Sequence, residues 1–422
     1  MRKQLILAVV VLCCAHSVFA SSMYNITEVR MYAGLGLNDI GQVACWTAGT
    51  SVFDGRAVVY SNGDITDLGT LGGLGSYGQA INNNGQVTGL SDTALEGQHA
   101  FLYTDGLMID LGSLAAPPNS FSAGYGINDS GQVTGRAAIS ADDHHAFIYN
   151  GGPLIDLGTL SGFSNSVGTG INNLGQVVGY SFTAVADSHA FLYSNGQMSD
   201  LGALGGSWSQ AFAVNDSGQV TGTAQTPAGE PAVVGHAFLY TNGQMIDLGT
   251  LGGPYSQGFG INNSGQVVGA ADGSDGRTNA FLYSGGHMFD LNDLVDLSGV
   301  GYGKLYSAEA INDRGQILAA ACNTPSSCVG LGHILLLTPT ATTPVPEPST
   351  LLLLGTALLA MFTLRQAKCP MLLSLKTMCK ALELLSAGPR TYGRILTTSV
   401  PEKAPPPRVE PQTSTMISLG FR

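Results

Sequence analysis

The most regular feature of the chain is an alternation of short apolar runs with turn residues. HAFLYTDGLMIDLG, from His99, recurs as HAFIYNGGPLIDLG from His145, HAFLYSNGQMSDLG from His189, HAFLYTNGQMIDLG from His236 and NAFLYSGGHMFDLN from Asn279. Each copy sets two strand-like runs around a dipeptide that favours positive φ, such as Asp105 and Gly106 or Asn195 and Gly196. That pattern predicts a β-hairpin. A second signature precedes each hairpin: LNDIGQVAC from Leu37, INNNGQVTG from Ile81, INDSGQVTG from Ile127, INNLGQVVG from Ile171, VNDSGQVTG from Val214, INNSGQVVG from Ile261 and INDRGQILA from Ile311. Asn and Asp tolerate left-handed backbone and bond their own main chain, and the following Gly closes a tight turn, so this signature also predicts a hairpin. Its first asparagines stand 44, 46, 44, 43, 47 and 50 residues apart. Each period then carries four strands, in the second repeat at residues 78–82, 86–91, 99–103 and 107–111.

Four strands in such a period predict the blade of a β-propeller. Blades crowd near a central axis, so one face of the innermost strand should carry small residues at period two. Gly34 and Gly36, Gly78 and Ala80, Gly124 and Gly126, Gly168 and Gly170, Ala211 and Ala213, Gly258 and Gly260, and Ala308 and Ala310 fit. The AFLY run is apolar at successive positions, as a sheet covered on both faces requires. The seventh repeat has a third strand, HILLL from His333, but no fourth, while YNITEV from Tyr24 stands ahead of the first repeat. The expectation is that Tyr24 to Val29 pairs beside His333 to Leu337 and closes a ring. The fold class is therefore all-β, a seven-bladed β-propeller of four-stranded blades; an open solenoid is the alternative, and it would need polar capping repeats at its ends.

Composition agrees with many short strands. Glycine fills 58 of 422 positions, about twice its usual share of about 7%. Residues 21–345 hold 25 acidic and 6 basic side chains, whereas residues 366–422 hold 3 and 8. An acidic body repels phosphates and argues against nucleic acid as a partner.

The two ends carry different information. Arg2 and Lys3 precede an apolar run, and Val18, Phe19 and Ala20 give small residues at cleavage spacing, which predicts a signal peptide over residues 1–20, cut after Ala20. A propeller over 21–338 follows, then a Pro/Thr linker over 339–348, an apolar segment over 349–365 and a basic tail over 366–422. Cys322 and Cys328 are close enough to bridge a small loop in an oxidising compartment, and Cys45 reads as a buried apolar residue.

VPEPST, followed by an apolar run and Arg365, resembles the PEP-CTERM sorting signal, and the repeats resemble those of the HAF family, named for the residues at His99, His145, His189 and His236. The resemblance implies export, transient anchoring in the inner membrane of a Gram-negative cell through the 349–365 helix, and cleavage near Pro346, Glu347 and Pro348 by a membrane protease of the exosortase type. It also implies an association with exopolysaccharide or other surface proteins. The 57 residues after Arg365 depart from such signals, which normally end soon after the helix.

The repeated chemistry reads as structural. His99, His145, His189 and His236 share one repeat position with Arg56, Asn279 and His333, which suits a hydrogen-bond donor at a blade edge better than a metal ligand. Asp67, Asp110, Asp156, Asp200, Asp247 and Asp290 precede turns and suit acceptors of backbone bonds, with calcium the alternative. No nucleophile elbow, HExxH or phosphate loop is present. Catalytic residues, cofactors and metals are therefore not expected. The breaks in the repeat are the better clues: Asp142, Asp143 and His144, the loop 226–234, the loop 322–328, and Trp208. The expected function is an exported, non-enzymatic binding scaffold of the cell surface or matrix; a secreted propeller hydrolase or lyase acting on glycans is the alternative.

Overall fold

The computed structural model describes residues 23–29, 33–47, 55–95, 97–116, 120–183, 188–227, 235–323 and 333–340. The signal peptide, Cys328, the Pro346–Pro348 motif, the 349–365 segment with Arg365, the tail and most of the 226–234 loop lie outside them. The chain divides into two units, Met1–Pro348 and Ser349–Arg422, and the described residues all belong to the first.

Those residues form seven four-stranded antiparallel sheets. Blade 3 shows the pattern: inner strand Ser122–Ile127, second strand Val133–Ala138, third strand His144–Tyr149 and outer strand Ile155–Gly158. Blades 1, 2, 4, 5 and 6 repeat this order, and one strand after another pairs with its predecessor. Blade 7 takes three strands from Lys304–Ile311, Ile317–Cys322 and His333–Pro339, and its outer strand is Tyr24–Val29, with Tyr24 opposite Pro339 and Val29 opposite Ile334. The N-terminal strand therefore closes the ring, and the open solenoid is excluded.

The core lies between blades, because each sheet buries both faces. Phe101 packs with Ala44, Ala57 and Leu68 of blade 1, while its neighbours Ala100 and Leu102 pack with Ile127, Val133 and Phe147 of blade 3. Phe101, Phe147, Phe191, Phe238 and Phe281 are all fully buried, and full burial of one such ring contributes about 1.5–3 kcal/mol. At the closure, Val29, Ile334 and Leu336 of blade 7 join Val43, Val58 and Tyr60 of blade 1.

The inner strands correct one expectation. The small residues do not share a face, because a register shift separates each pair: Gly124 lies opposite Gly135, but Gly126 lies opposite Thr134, with Tyr125 left over. A Cβ on Gly126 would stand 3.2 Å from Gly170 of blade 4, while one on Gly124 would run into Thr88 of blade 2. The bulge turns the two glycines toward opposite neighbours, and crowding on both sides is what requires small residues.

Candidate functional site

Each inner strand runs into its second strand through the Asn-Asn/Asp-x-Gly-Gln turn, and the seven turns meet around the axis. In blade 3, Asn128 Oδ1 accepts from the backbone N–H of Ser130 and of Gln132, at 3.1 and 3.0 Å, which caps the turn. Gly131 supplies the positive φ, +76°. Gln132 Oε1 then accepts from Asn128 Nδ2 at 2.7 Å and so fixes which way the amide faces. The same Nδ2 donates to the carbonyl of Asn172 in blade 4 at 3.0 Å.

That last bond repeats around the circle. Asn38 donates to the Asn82 carbonyl, Asn82 to Asn128, Asn128 to Asn172, Asn172 to Asn215, Asn215 to Asn262, Asn262 to Asn312, and Asn312 back to Asn38, at 2.9–3.2 Å. The next residue forms a second closed circle. Each backbone N–H of Asp39, Asn83, Asp129, Asn173, Asp216, Asn263 and Asp313 donates to the side-chain Oδ1 of the next, at 2.7–2.9 Å. Carboxylate and amide alternate, so each Asn83, Asn173 and Asn263 amide bridges two aspartates. Seven is odd, and one like pair is unavoidable. It falls at the closure, where Asp313 meets Asp39 with no amide between them.

These residues rim a cavity of about 210 Å³ whose lining also includes Ile81, Ile127, Ile171, Val214, Ile261 and Ile311. Phe212 and Phe259, each left over at the register shift of its inner strand, meet across adjacent blades, 5.9 Å between centroids. Glu309 holds the same position in blade 7 and accepts from Ser307 Oγ at 2.6 Å. Burial pushes its carboxyl above the ordinary range. Four aspartates thus take part in the mouth, and each of their carboxylates accepts hydrogen bonds from a neighbouring blade.

The repeat histidines and aspartates stand at the outer edge, away from this cavity. His99, His145, His189 and His236 place Nδ1 at 2.8, 2.9, 2.7 and 2.9 Å from Asp110, Asp156, Asp200 and Asp247. Arg56 and Asn279 reach Asp67 and Asp290 in the same way. Each tie joins the third strand of a blade to the end of its fourth. The aspartates also accept the backbone N–H two residues on, for example from Gly112, Gly158 and Gly249. Burial pushes the Asp247 carboxyl up, but the bonds from His236 and Gly249 outweigh it and hold it below the ordinary carboxylate range.

Sequence reasoning missed a third repeated element. Ser76, Ser122, Ser166, Ser209 and Ser256 stand fully buried on the inner strands of blades 2 to 6, and each bonds the preceding blade on two sides. Ser166 Oγ accepts from Ala146 N at 2.8 Å and donates to the Gly158 carbonyl at 2.5 Å. In blades 2 to 6, a serine two residues before the first small residue of the pair was the signal.

The remaining candidates do not come together. Cys322 is disulfide-bonded, and Cys328 lies outside the described residues. Trp208 is half-buried between blades 5 and 6. Among the described residues, no group of three or more His, Cys, Asp or Glu side chains is placed to hold a metal ion, and no helix is long and apolar enough to cross a membrane.

Comparison with known proteins adds the C-terminal segment. Residues 344–368 match the PEP-CTERM protein-sorting motif. No curated protein matches the chain. Among solved structures, the β-propeller domain of the Trilobed protease from Pyrococcus furiosus is 12% identical, with 62% of this chain and 83% of that one covered and a TM-score of 0.43. TolB from Acinetobacter baumannii is 11% identical over 73% of this chain and 65% of its own, with a TM-score of 0.39. The acylaminoacyl peptidase of Pyrococcus horikoshii is 10% identical over 73% and 52%, with a TM-score of 0.43. The chain therefore spans about two thirds of the second and about half of the third. At these identities the likeness concerns the fold alone, whereas the sorting motif, following a propeller, supports an exported protein directed to the cell envelope.

Proposed function

We propose that the protein is a non-enzymatic binding scaffold of the cell envelope or extracellular matrix, released or anchored by an exosortase-type membrane protease acting near Pro346, Glu347 and Pro348. The reading includes transient membrane anchoring through residues 349–365 and an association with exopolysaccharide, which the HAF-like repeats imply. The observation that carries it is the state of the channel mouth. Its four aspartates and ten asparagines are engaged in two closed circles of bonds that hold blades together, and a carboxylate so engaged is poorly placed to exchange protons with a substrate.

The test is a glycan panel together with binding to matrix extracted from the host. The scaffold reading expects saturable binding of at least one matrix fraction below millimolar concentration with no change in the glycan's length. Blank results on both at millimolar ligand would remove it. Cleavage of a glycan would instead favour the hydrolase or lyase reading, for which the four mouth carboxylates are the supporting feature.

A further inference from the structure

The crevices between blades differ on the face opposite the asparagine circle, where the second strands end. Between blades 1 and 2 the crevice is filled by Trp46 and Tyr77, whose rings meet edge to face at 5.3 Å between centroids. Gly55 makes room for them, since a Cβ there would stand 3.2 Å from each ring. Between blades 5 and 6, Gly235 makes room in the same way for Trp208 and Tyr255, at 2.6 and 3.0 Å.

Between blades 3 and 4 the equivalent positions carry polar chemistry. Arg136 stands where the second strand of blade 1 has Trp46, each opposite the alanine of the third-strand repeat. His144 stands where blades 1 and 5 have Gly55 and Gly235, directly before the repeat position of His145. The Arg136 guanidinium lies over Phe121, with Cζ 5.2 Å from the ring centroid, and His144 meets the same ring edge-on at 5.5 Å. Arg136 Nε is buried without a hydrogen-bond partner, and no described carboxylate lies in ion-pair range of the group. Arg56 and Arg277, by contrast, are paired with Asp67 and Asp275.

An unpaired guanidinium, half-buried in a body with 25 acidic and 6 basic residues over positions 21–345, is out of place on stability grounds. Removing a charge from water without a counter-charge costs several kcal/mol, of the order of the penalty that a paired ion recovers. An anion from outside the chain would recover it here.

We propose that the crevice between blades 3 and 4 binds a carboxylated sugar, with its carboxylate on the Arg136 guanidinium. This rests on the scaffold reading above and names the ligand class. Phe121 covers one face of the guanidinium, so the ligand meets the edge, where a planar carboxylate accepts two parallel bonds. Burial, and then Arg136, push the His144 imidazole below its ordinary value while Asp143 pulls it up; the net effect keeps it neutral and able to donate to a hydroxyl. Asp143 is tied to Asn165 and Ser140. Its charge beside His144 opposes a second negative charge on the group bound at Arg136, which favours a singly charged carboxylate over a dianionic phosphate or inorganic sulfate.

The test is calorimetric titration of the folded, full-length protein with trigalacturonate, with galactotriose as the neutral counterpart and with inorganic sulfate. Wild type should bind trigalacturonate and ignore galactotriose. Arg136→Lys, which keeps the charge but loses the fork, should weaken binding about tenfold or more. Arg136→Met should abolish it while circular dichroism shows the wild-type fold. Undiminished trigalacturonate binding in Arg136→Met would overturn the proposal, as would equal binding of galactotriose, displacement by equimolar sulfate, or no heat with wild type at millimolar ligand. If matrix binding survives in Arg136→Met but trigalacturonate never binds, this site falls and the scaffold reading stands.

Discussion

The two ends of the blade boundaries treat polar groups in opposite ways. At the channel mouth, Asn128 and its six equivalents are buried and bonded on both the oxygen and the nitrogen, and each reaches into the next blade. At the far end, Arg136 reaches toward the next blade and finds no partner. The first arrangement appears in all seven blades; among the described residues only Arg136 and Thr183 keep a buried side-chain atom without a partner, and Arg136 is the charged one. The difference teaches that residues repeated in every blade hold the ring together, whereas a polar residue that breaks the repeat and lacks a partner marks a place for something else.

The largest effect expected from breaking this contrast is at the mouth. Asn128→Ala removes the cap on two backbone N–H groups, leaves the Asn172 carbonyl short of a donor and strands Gln132 Oε1. Loss of roughly 2–4 kcal/mol is expected in denaturant unfolding. A smaller effect belongs to Glu309, whose carboxyl is raised by burial. A raised acid stabilises the fold below its unfolded value and loses that contribution as pH rises through the folded value. Glu309→Gln should therefore leave the midpoint unchanged near about pH 4 and raise it near about pH 7; an equal shift at both values would show that packing, not charge, is at work. The smallest effect is at the seam. Asp39→Asn would place an amide between Asp313 and its neighbour, and should gain up to about 1 kcal/mol, read as a higher unfolding midpoint at low salt.

The architecture was legible in the sequence because the repeat states it seven times. The apolar AFLY run told of a sheet covered on both faces, and YNITEV ahead of the first repeat told of the closing strand. The bulge was not legible, since glycines two apart look the same whether they share a face or turn to opposite neighbours. The inner strands of blades 2 and 6, Gly72–Ile81 and Gly252–Ile261, also begin earlier than turn chemistry suggests, because the LGG segments pair back onto the second strands through Leu71 and Leu251. The asparagine circle was half legible. Asn in a turn is explained by its own backbone, and nothing local says that its amide crosses to another blade. The signal was its persistence in every copy where Asp, Ser or Gly would also turn the chain, and the strict alternation of Asp and Asn at the next position. Arg136 could be seen only by aligning second strands with one another, and its missing partner only in three dimensions.

The contrast is tested most directly by the unfolding free energy of Arg136→Met without ligand, measured in denaturant beside wild type. If the guanidinium is a place held open for an anion, replacing it with an apolar side chain of similar length leaves stability unchanged or raises it by about 1 kcal/mol or more. A loss of about 2 kcal/mol or more, comparable to that expected for Asn128→Ala, would mean that Arg136 holds blades 3 and 4 together as the asparagines do, and the division between repeated structure and unrepeated function would fail.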